Sequence, residues 1–459
     1  MLIAELKDKQ ILILGFGREG QDSFLFLREK FPEKSIGVAD QKEFEELSSE
    51  AKLLLNKDRK VVLYFGDSYL KQLNKYDVIV KSPGIAPHVL KLYLKKHQTL
   101  TSQTNIFFAN CPGTIVGITG TKGKSTTASL IYHVLKGGLA RRSSESEGGG
   151  VRVHLVGNIG EPVLKFLDHA IKDDVFVYEL SSFQLENATR SPHIAVFLNL
   201  YSEHLDHHGS FEAYAKAKAN ITKFQTAEDY LIYNEEDPEV SRIAASSKAQ
   251  KLGFKPAPFK EQVFVASTRP AYLVAELFAI PKEKVEKVLK TFKPLPHRLE
   301  LVGTRKGIAF YNDSLATIPE ATIAALDILG DKVATLLVGG YDRGVKFPKL
   351  AARILQSSVR NLILFPTTGE LVGKEIEALR KKEARLAEDG ESRRGNRQLP
   401  KYFHVQTMAE AVELSFQHTP RGHICLLSPA ASSFNLFRDY KHRGDEFKNC
   451  IRYTGNFTT

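Results

Sequence analysis

Cysteine is scarce in this chain. Three thiols in 459 residues, Cys111, Cys425 and Cys450, stand far apart with no CxxC pair, so neither a disulfide framework nor a zinc ribbon can be assembled from them. A reducing, cytoplasmic setting is expected. Long apolar runs are also missing: no stretch approaches the roughly 20 apolar residues needed to span a bilayer. Met1 to Lys9 carries Glu5, Lys7, Asp8 and Lys9 before its first apolar run, unlike a secretion signal. We therefore expect a soluble, untargeted protein with no membrane insertion. No RNP, zinc-finger or basic-zipper pattern is present, so nucleic acid is not an expected partner. The 64 Lys and Arg exceed the 53 Asp and Glu by 11, a surplus that equally suits anionic small molecules.

What is present is ordinary globular composition, 42% hydrophobic and 25% charged, which excludes global disorder and collagen. The length suits about three domains of roughly 150 residues each. Ile11 to Leu14 is a short apolar run that meets Gly15-Phe-Gly17-Arg18-Glu-Gly20 and then a helical pattern from Asp22 to Lys30, the strand, glycine turn and helix of a nucleotide-binding βαβ unit. A second strand, Ser35 to Ala39, ends in Asp40, where such a unit places an acid near a ribose or base. A glycine turn without a ligand is the alternative. Asp77 to Lys81 reads as another strand, ended by Ser82-Pro83-Gly84. A second α/β unit starts at Thr114 to Thr119 and alternates apolar runs (Val175 to Tyr178, Ile194 to Leu198) with helical segments through about Phe292. After Pro294-Leu295-Pro296, a third has strands at Ile308 to Tyr311, Thr335 to Val338, Asn361 to Phe365 and His423 to Leu427. Alternation of this kind predicts parallel sheets. Gly137 to Gly150 and Lys381 to Arg397, rich in Gly, Ser and charge, read as mobile surface insertions.

The strongest chemical signal is Gly117-Ile-Thr-Gly120-Thr121-Lys122-Gly123-Lys124-Ser125-Thr126-Thr127, between a strand and the helical Ala128 to Leu135. Backbone amides of such a loop cradle phosphates, Lys124 meets their charge, and the Ser125 hydroxyl can ligate Mg²⁺. Ile118 replaces the first glycine of the general P-loop pattern. The apolar strand Val175 to Tyr178 ends in Glu179, a carboxylate that can hold a hard cation, or else an unrelated strand-end acid.

These motifs, with Gly157-Asn158-Ile-Gly160, Asn199 to Asp206 (NLYSEHLD), Pro296-His-Arg298-Leu-Glu300, Asn312-Asp313-Ser314 and Leu427-Ser-Pro-Ala430, resemble the Mur ligase family from about Ile11 to Phe447. Within it, ELSSFQLE and SFNLFRDYKHRGDEF are most like the branch that adds D-glutamate. The resemblance implies a three-domain α/β architecture: a Rossmann-like UDP-sugar-binding domain (1–111), a central P-loop ATP-binding domain (112–296) and a Rossmann-like C-terminal domain (297–459). It implies a monomeric ligase that uses ATP and two Mg²⁺ ions to join D-glutamate to UDP-N-acetylmuramoyl-L-alanine through an acyl phosphate. By the same resemblance, Gly17, Arg18, Asp40, Ser82, Asn158, Ser181 and Gln184 contact the UDP substrate. Gly120 to Thr126, Arg298 and Asp313 contact ATP. Thr317, Arg343, Ser433 and Phe434 form the D-glutamate pocket. Ser125, Glu179, His204 and Lys218 hold metal. Lys124, Glu179, His204 and Lys218 are the catalytic set.

Two of these have plain alternatives: His204 as a polar histidine with satisfied hydrogen bonds, and Lys218 as part of a solvated basic helix face. The family lysine matching Lys218 is carbamoylated. An ammonium would repel metal, whereas a deprotonated amine that has added CO₂ is a carboxylate. Lys216, two residues away, points elsewhere on a helix. The chain departs from the family at Leu315, where a lysine is usual, at Arg343, where a D-glutamate-binding lysine is usual, at Thr268-Arg269-Pro270, where a His-Asn pair is usual, and at Tyr201-Ser202-Glu203, where Thr-Glu-Asp is more common. Another Mur-type or folylpolyglutamate-type ligase, or a P-loop regulatory protein that has lost ligation, are the competing readings.

Overall fold

The computed structural model describes residues 1–139, 151–256, 265–292, 296–342, 344–388 and 399–454. Most of both expected insertions, as well as Arg343, lies outside the described residues. The chain forms two compact units, Met1–Phe292 and Lys293–Thr459.

The first unit holds two sheets. One contains β1 (Ile11–Leu14), β2 (Ile36–Asp40), β3 (Val61–Phe65), β4 (Val78–Lys81) and β5 (Thr99–Thr101), in the order β3-β2-β1-β4-β5. The other contains β6 (Thr114–Thr119), β7 (Val153–Gly157), β8 (Val175–Glu179), β9 (Ile194–Phe197), β10 (Tyr230–Asn234) and β11 (Gln250–Phe254), in the order β11-β10-β9-β6-β8-β7. Every strand pair in both is parallel. This explains the continuous apolar runs, since a central parallel strand is covered on both faces; β1 and β8 are buried along their whole length.

Chain order reverses beside β1 in the first sheet and beside β6 in the second. At such points the connections leave in opposite directions and open a crevice at the strands' C-terminal ends. The two sheets share a core. Phe107, in the helix Gln103–Asn110, meets Phe176 and Tyr178 edge-on at ring separations of 5.1 and 5.9 Å. Buried polar groups fix the register of this seam: Thr104 Oγ1 lies 3.1 Å from the Tyr178 hydroxyl, and Asn105 donates to the Asn187 carbonyl at 2.8 Å.

The second unit contains β12 (Glu300–Arg305), β13 (Ile308–Asn312), β14 (Val333–Gly340), β15 (Asn361–Thr367), β16 (Lys401–His404) and β17 (Ile424–Leu427), ordered β12-β13-β17-β14-β15-β16. Only the β12–β13 pair is antiparallel.

Candidate functional site

In the second sheet, β6 delivers the loop Gly120 to Gly123 into the crevice, and the helix Lys124–Leu139 starts immediately after it. That start is four residues earlier than the sequence pattern predicts, so Lys124 and Ser125 occupy its first turn, where unpaired amides favour anions. Gly123 has φ +80°, a conformation that side-chain-bearing residues rarely adopt. The loop is braced from β9. Thr121 N donates to the Asn199 carbonyl at 2.9 Å and Lys122 N to Asn199 Oδ1 at 2.8 Å, while the Asn199 amide returns a bond to the Lys122 carbonyl. Thr121 Oγ1 lies 2.9 Å from the Tyr214 hydroxyl and accepts from Tyr201 N. Asn199, Tyr214 and Glu203 are therefore part of the site, although sequence reasoning gave them no role; a polar residue just past a buried strand was the available signal for Asn199.

Across the crevice, Glu179 ends β8 and is 1% exposed. Its Oε1 accepts from Asn158 Nδ2 at 3.4 Å, but its buried Oε2 has no hydrogen-bond partner among the described residues. A buried carboxylate oxygen without a donor is costly unless something cationic meets it. Lys218, in the helix Phe211–Lys223, is 1% exposed, and its Nζ donates to the Gly120 carbonyl at 2.8 Å and to Thr119 Oγ1 at 3.3 Å. Burial, reinforced by Lys124 and opposed by Glu203 and Glu179, holds its amine well below the usual lysine range. Lys216 is exposed. Lys122 Nζ pairs with Glu203 Oε1 at 2.8 Å. Burial alone would raise the Glu203 carboxyl, but Lys122, His204 and Lys124 outweigh it and hold it below its ordinary value. His204 follows β9 in a left-handed conformation (φ 56°), with Nε2 3.8 Å from Glu203 Oε2.

At the first sheet's switch point, Gly15 has φ +90°, and a Cβ on Gly20 would lie 2.0 Å from the Gly15 carbonyl oxygen. The helix Arg18–Lys30 thus starts against the turn, earlier than predicted. Asp40 Oδ2 accepts from Phe16 N at 2.6 Å and Ser82 Oγ donates to the Gly15 carbonyl at 2.7 Å, so both brace the glycine turn from neighbouring strand ends. Arg18 donates to the Gly160 carbonyl, two residues from Asn158. Ser181 and Gln184 form a capping box on the short helix Ser182–Leu185, and Gln184 Nε2 donates to Glu19 Oε1 at 2.7 Å. Burial, aided by Asp22 and resisted by the Gln184 bond, lifts the Glu19 carboxyl to about 7.

The second unit gathers its own group. Asp313, past the end of β13, is buried; Oδ1 accepts from Leu299 N at 3.1 Å and Oδ2 from Ser428 Oγ at 2.9 Å. Burial lifts its carboxyl to about 7 despite those bonds and the nearby Arg298. Thr317, Tyr341, Val345, Phe347, Ala430 and Ser432 line a small open cleft. Ser433 is buried beside it in sequence, whereas Phe434 is exposed. Arg443, fully buried, bonds the Ser314 hydroxyl, the Ser314 carbonyl and the Ala431 carbonyl at 2.8–3.1 Å. It ties together the two loops that bound the cleft.

A phosphate loop at a parallel sheet's switch point, faced by a strand-end carboxylate and a buried lysine, defines a P-loop enzyme of the α/β class. Residues 118–286 match the Mur ligase middle domain. The UDP-N-acetylmuramoylalanine--D-glutamate ligase of Acetivibrio thermocellus is 30% identical over 97% of both chains, and that of Streptococcus pyogenes serotype M5 is 32% identical over 98% of this chain and 99% of its own. Among solved structures, MurF of Acinetobacter baumannii matches with a TM-score of 0.57 at 14% identity over 96% of this chain and 93% of its own. MurF of Thermotoga maritima, solved in complex with ADP, matches at 0.55 and 15% over 98% and 97%. The chain belongs to the Mur ligase family.

Proposed function

We propose that the chain is an ATP-dependent ligase that joins D-glutamate to UDP-N-acetylmuramoyl-L-alanine in cytoplasmic peptidoglycan-precursor synthesis. The crevice that holds the phosphate loop, the Glu179 oxygen that meets no donor among the described residues, and the buried Lys218 carries the reaction class. Near-full-length similarity to D-glutamate ligases supports the acceptor. A carboxylate resists nucleophiles. Transfer of the γ-phosphoryl group of ATP to it releases ADP and gives an acyl phosphate, which the amine of D-glutamate attacks at carbon, losing a proton, while phosphate departs with the C–O bonding pair. Lys124 and the loop amides offset charge on the phosphoryl oxygens.

Mg²⁺ fits the donor set, because the Glu179 Oε2 lone pairs lack a hydrogen-bond donor and the Ser125 hydroxyl sits at the loop's exit. Ser125 and Glu179 would hold one ion, and His204 with a carbamoylated Lys218 a second. When bound, such ions neutralise phosphoryl charge and orient the oxygens. The depressed basicity of Lys218 supports the carbamate, since only the free amine adds CO₂, releasing one proton.

In this reading residues 1–111 bind the UDP moiety through Gly17, Arg18, Asp40 and Ser82, with Asn158, Ser181 and Gln184 added from 112–296. Residues 297–459 supply Arg298 and Asp313 to the nucleotide and Thr317, Arg343, Ser433 and Phe434 to D-glutamate. The enzyme acts as a monomer. No helix among the described residues is long and apolar enough to cross a membrane. The test is phosphate release from purified protein given ATP, Mg²⁺ and UDP-N-acetylmuramoyl-L-alanine with a panel of D- and L-amino acids. D-Glutamate should be strongly preferred. Dominant use of another amino acid would reassign the acceptor, a live issue given Leu315 and Arg343, and no turnover with any would favour a regulatory P-loop protein.

A further inference from the structure

Phe183, on the short helix after β8, is ringed by three imidazoles: His204, His207 and His208, at ring separations of 4.8, 4.4 and 5.5 Å. Two of them aim a nitrogen at one carboxylate oxygen. His207 Nε2 is 3.4 Å and His208 Nδ1 is 3.3 Å from Glu186 Oε1, His207 Nε2 is also 3.5 Å from Oε2, and one donor atom of each of the three residues lies within 4.8 Å of the others. Charge-assisted N–H···O⁻ bonds run to about 2.7–2.9 Å, so these contacts are long for hydrogen bonds. They match the edge of a coordination tetrahedron, because ligands about 2.0–2.1 Å from a zinc-sized ion stand about 3.3–3.4 Å apart.

We propose that Glu186, His207 and His208 form a site for a borderline divalent transition cation of the Zn²⁺ class, with three protein donors and one open position. The donor set of two imidazoles and a carboxylate suits such an ion and not Mg²⁺, which prefers oxygen. The surroundings are those of a built site. His208 Nε2 lies 3.0 Å from Ser182 Oγ, which fixes the ring with Nδ1 turned toward Glu186. The Phe183 ring stacks on His208 with an interplanar angle of 5°. Lys81 Nζ lies 3.8 Å from the other carboxylate oxygen, Oε2, and is drawn away from the carboxylate by the Ile85 carbonyl at 2.7 Å. His207 and Glu186 side chains keep 9% and 13% of their surface in solvent, an entry path. Because His207 and His208 lie on the short helix Leu205–His208, which His204 precedes, the ion would pin that helix to the one carrying Ser182 and to Glu186 behind it. The site is separate from the hard-cation set at Glu179, and it stands whether or not the proposed ligation is correct.

The experiment is Co²⁺ titration of the full chain in excess Mg²⁺, read by visible ligand-field absorption, with circular dichroism on every variant. Bands of a four- or five-coordinate ion should saturate at one equivalent and be displaced by Zn²⁺. His207→Ala, His208→Gln and Glu186→Gln should each weaken Co²⁺ at least about 10-fold, and His204→Ala should leave the bands in place. Absence of bands in the wild-type chain would overturn the proposal. So would bands that survive all three ligand variants in folded protein, or bands lost in His204→Ala alone.

Discussion

Asp313→Asn should make the second unit more stable at alkaline pH, an effect that disappears in acid. The Asp313 carboxyl rises from an ordinary 3.8 to about 7 in the folded chain, with burial as the leading cause. A raised acid costs nothing below the unfolded value, where both states are protonated. The cost grows between about pH 4 and 7, as the unfolded chain ionises and the folded one resists, and it is constant above. Its ceiling is about 4 kcal/mol, and the increment between pH 5 and pH 8 is about 2.5 kcal/mol. Asparagine is never charged, so it avoids this increment. One side-chain oxygen can still accept from Leu299 N, and the new amide can donate to Ser428 Oγ, whose proton then turns toward Thr322 Oγ1 3.0 Å away. Thermal unfolding of both proteins from pH 5 to 8 is the assay. The melting temperature of the variant minus that of the wild type should climb by about 5–10 °C across that range for a unit of this size. A difference that is flat with pH, or that falls as pH rises, would refute the reasoning.

Lys218→Ala should fold, lose ligation on the order of 100-fold or more, and regain part of it when a short carboxylic acid fills the vacated space; Lys216→Ala should be nearly silent. An active Lys218→Ala enzyme without added acid would defeat the carbamate. Lys124→Ala should abolish ATP binding in calorimetry while UDP-substrate affinity stays within a few-fold, because Lys124 is not among the candidate UDP contacts, most of which lie at the first sheet; equal loss of both would show the division of labour to be wrong. Gly20→Ala places a Cβ 2.0 Å from the Gly15 carbonyl and should cost about 2–4 kcal/mol in urea unfolding, with loss of UDP-substrate affinity. An unchanged midpoint would mean that the turn yields freely.

The legible parts of this fold are those where a strand is covered on both faces. Ile11–Leu14, Thr114–Thr119 and Val175–Glu179 read as unbroken apolar runs because parallel neighbours and helices leave them no wet side. β3, β11 and β16 terminate their sheets and β12 is an antiparallel edge. Their residues are partly solvated, so Lys401 to His404 looks like loop and drew no strand assignment. Helix starts were placed late at both glycine turns, since Arg18 and Lys124 are polar and apolar periodicity begins only a turn further on.

The same physics divides the site. Glu179 was visible because a charged residue ending an apolar strand needs a reason. Lys216 and Lys218 were indistinguishable in their Ala-Lys-Ala-Lys-Ala context; what separates them is which helix face packs on the end of β6, a tertiary fact that no local pattern encodes. Arg443 is the extreme case. It lies within a run of charged residues, yet among the described residues it is the largest fully buried side chain, and the acceptors that hold it there are neutral. Burial lowers its guanidinium to about 9. Among the described residues no carboxylate meets this buried cation, which leaves positive potential behind the cleft between the Ser314 and Ala431 loops. An anionic amino-acid side chain entering that cleft would be drawn by this charge.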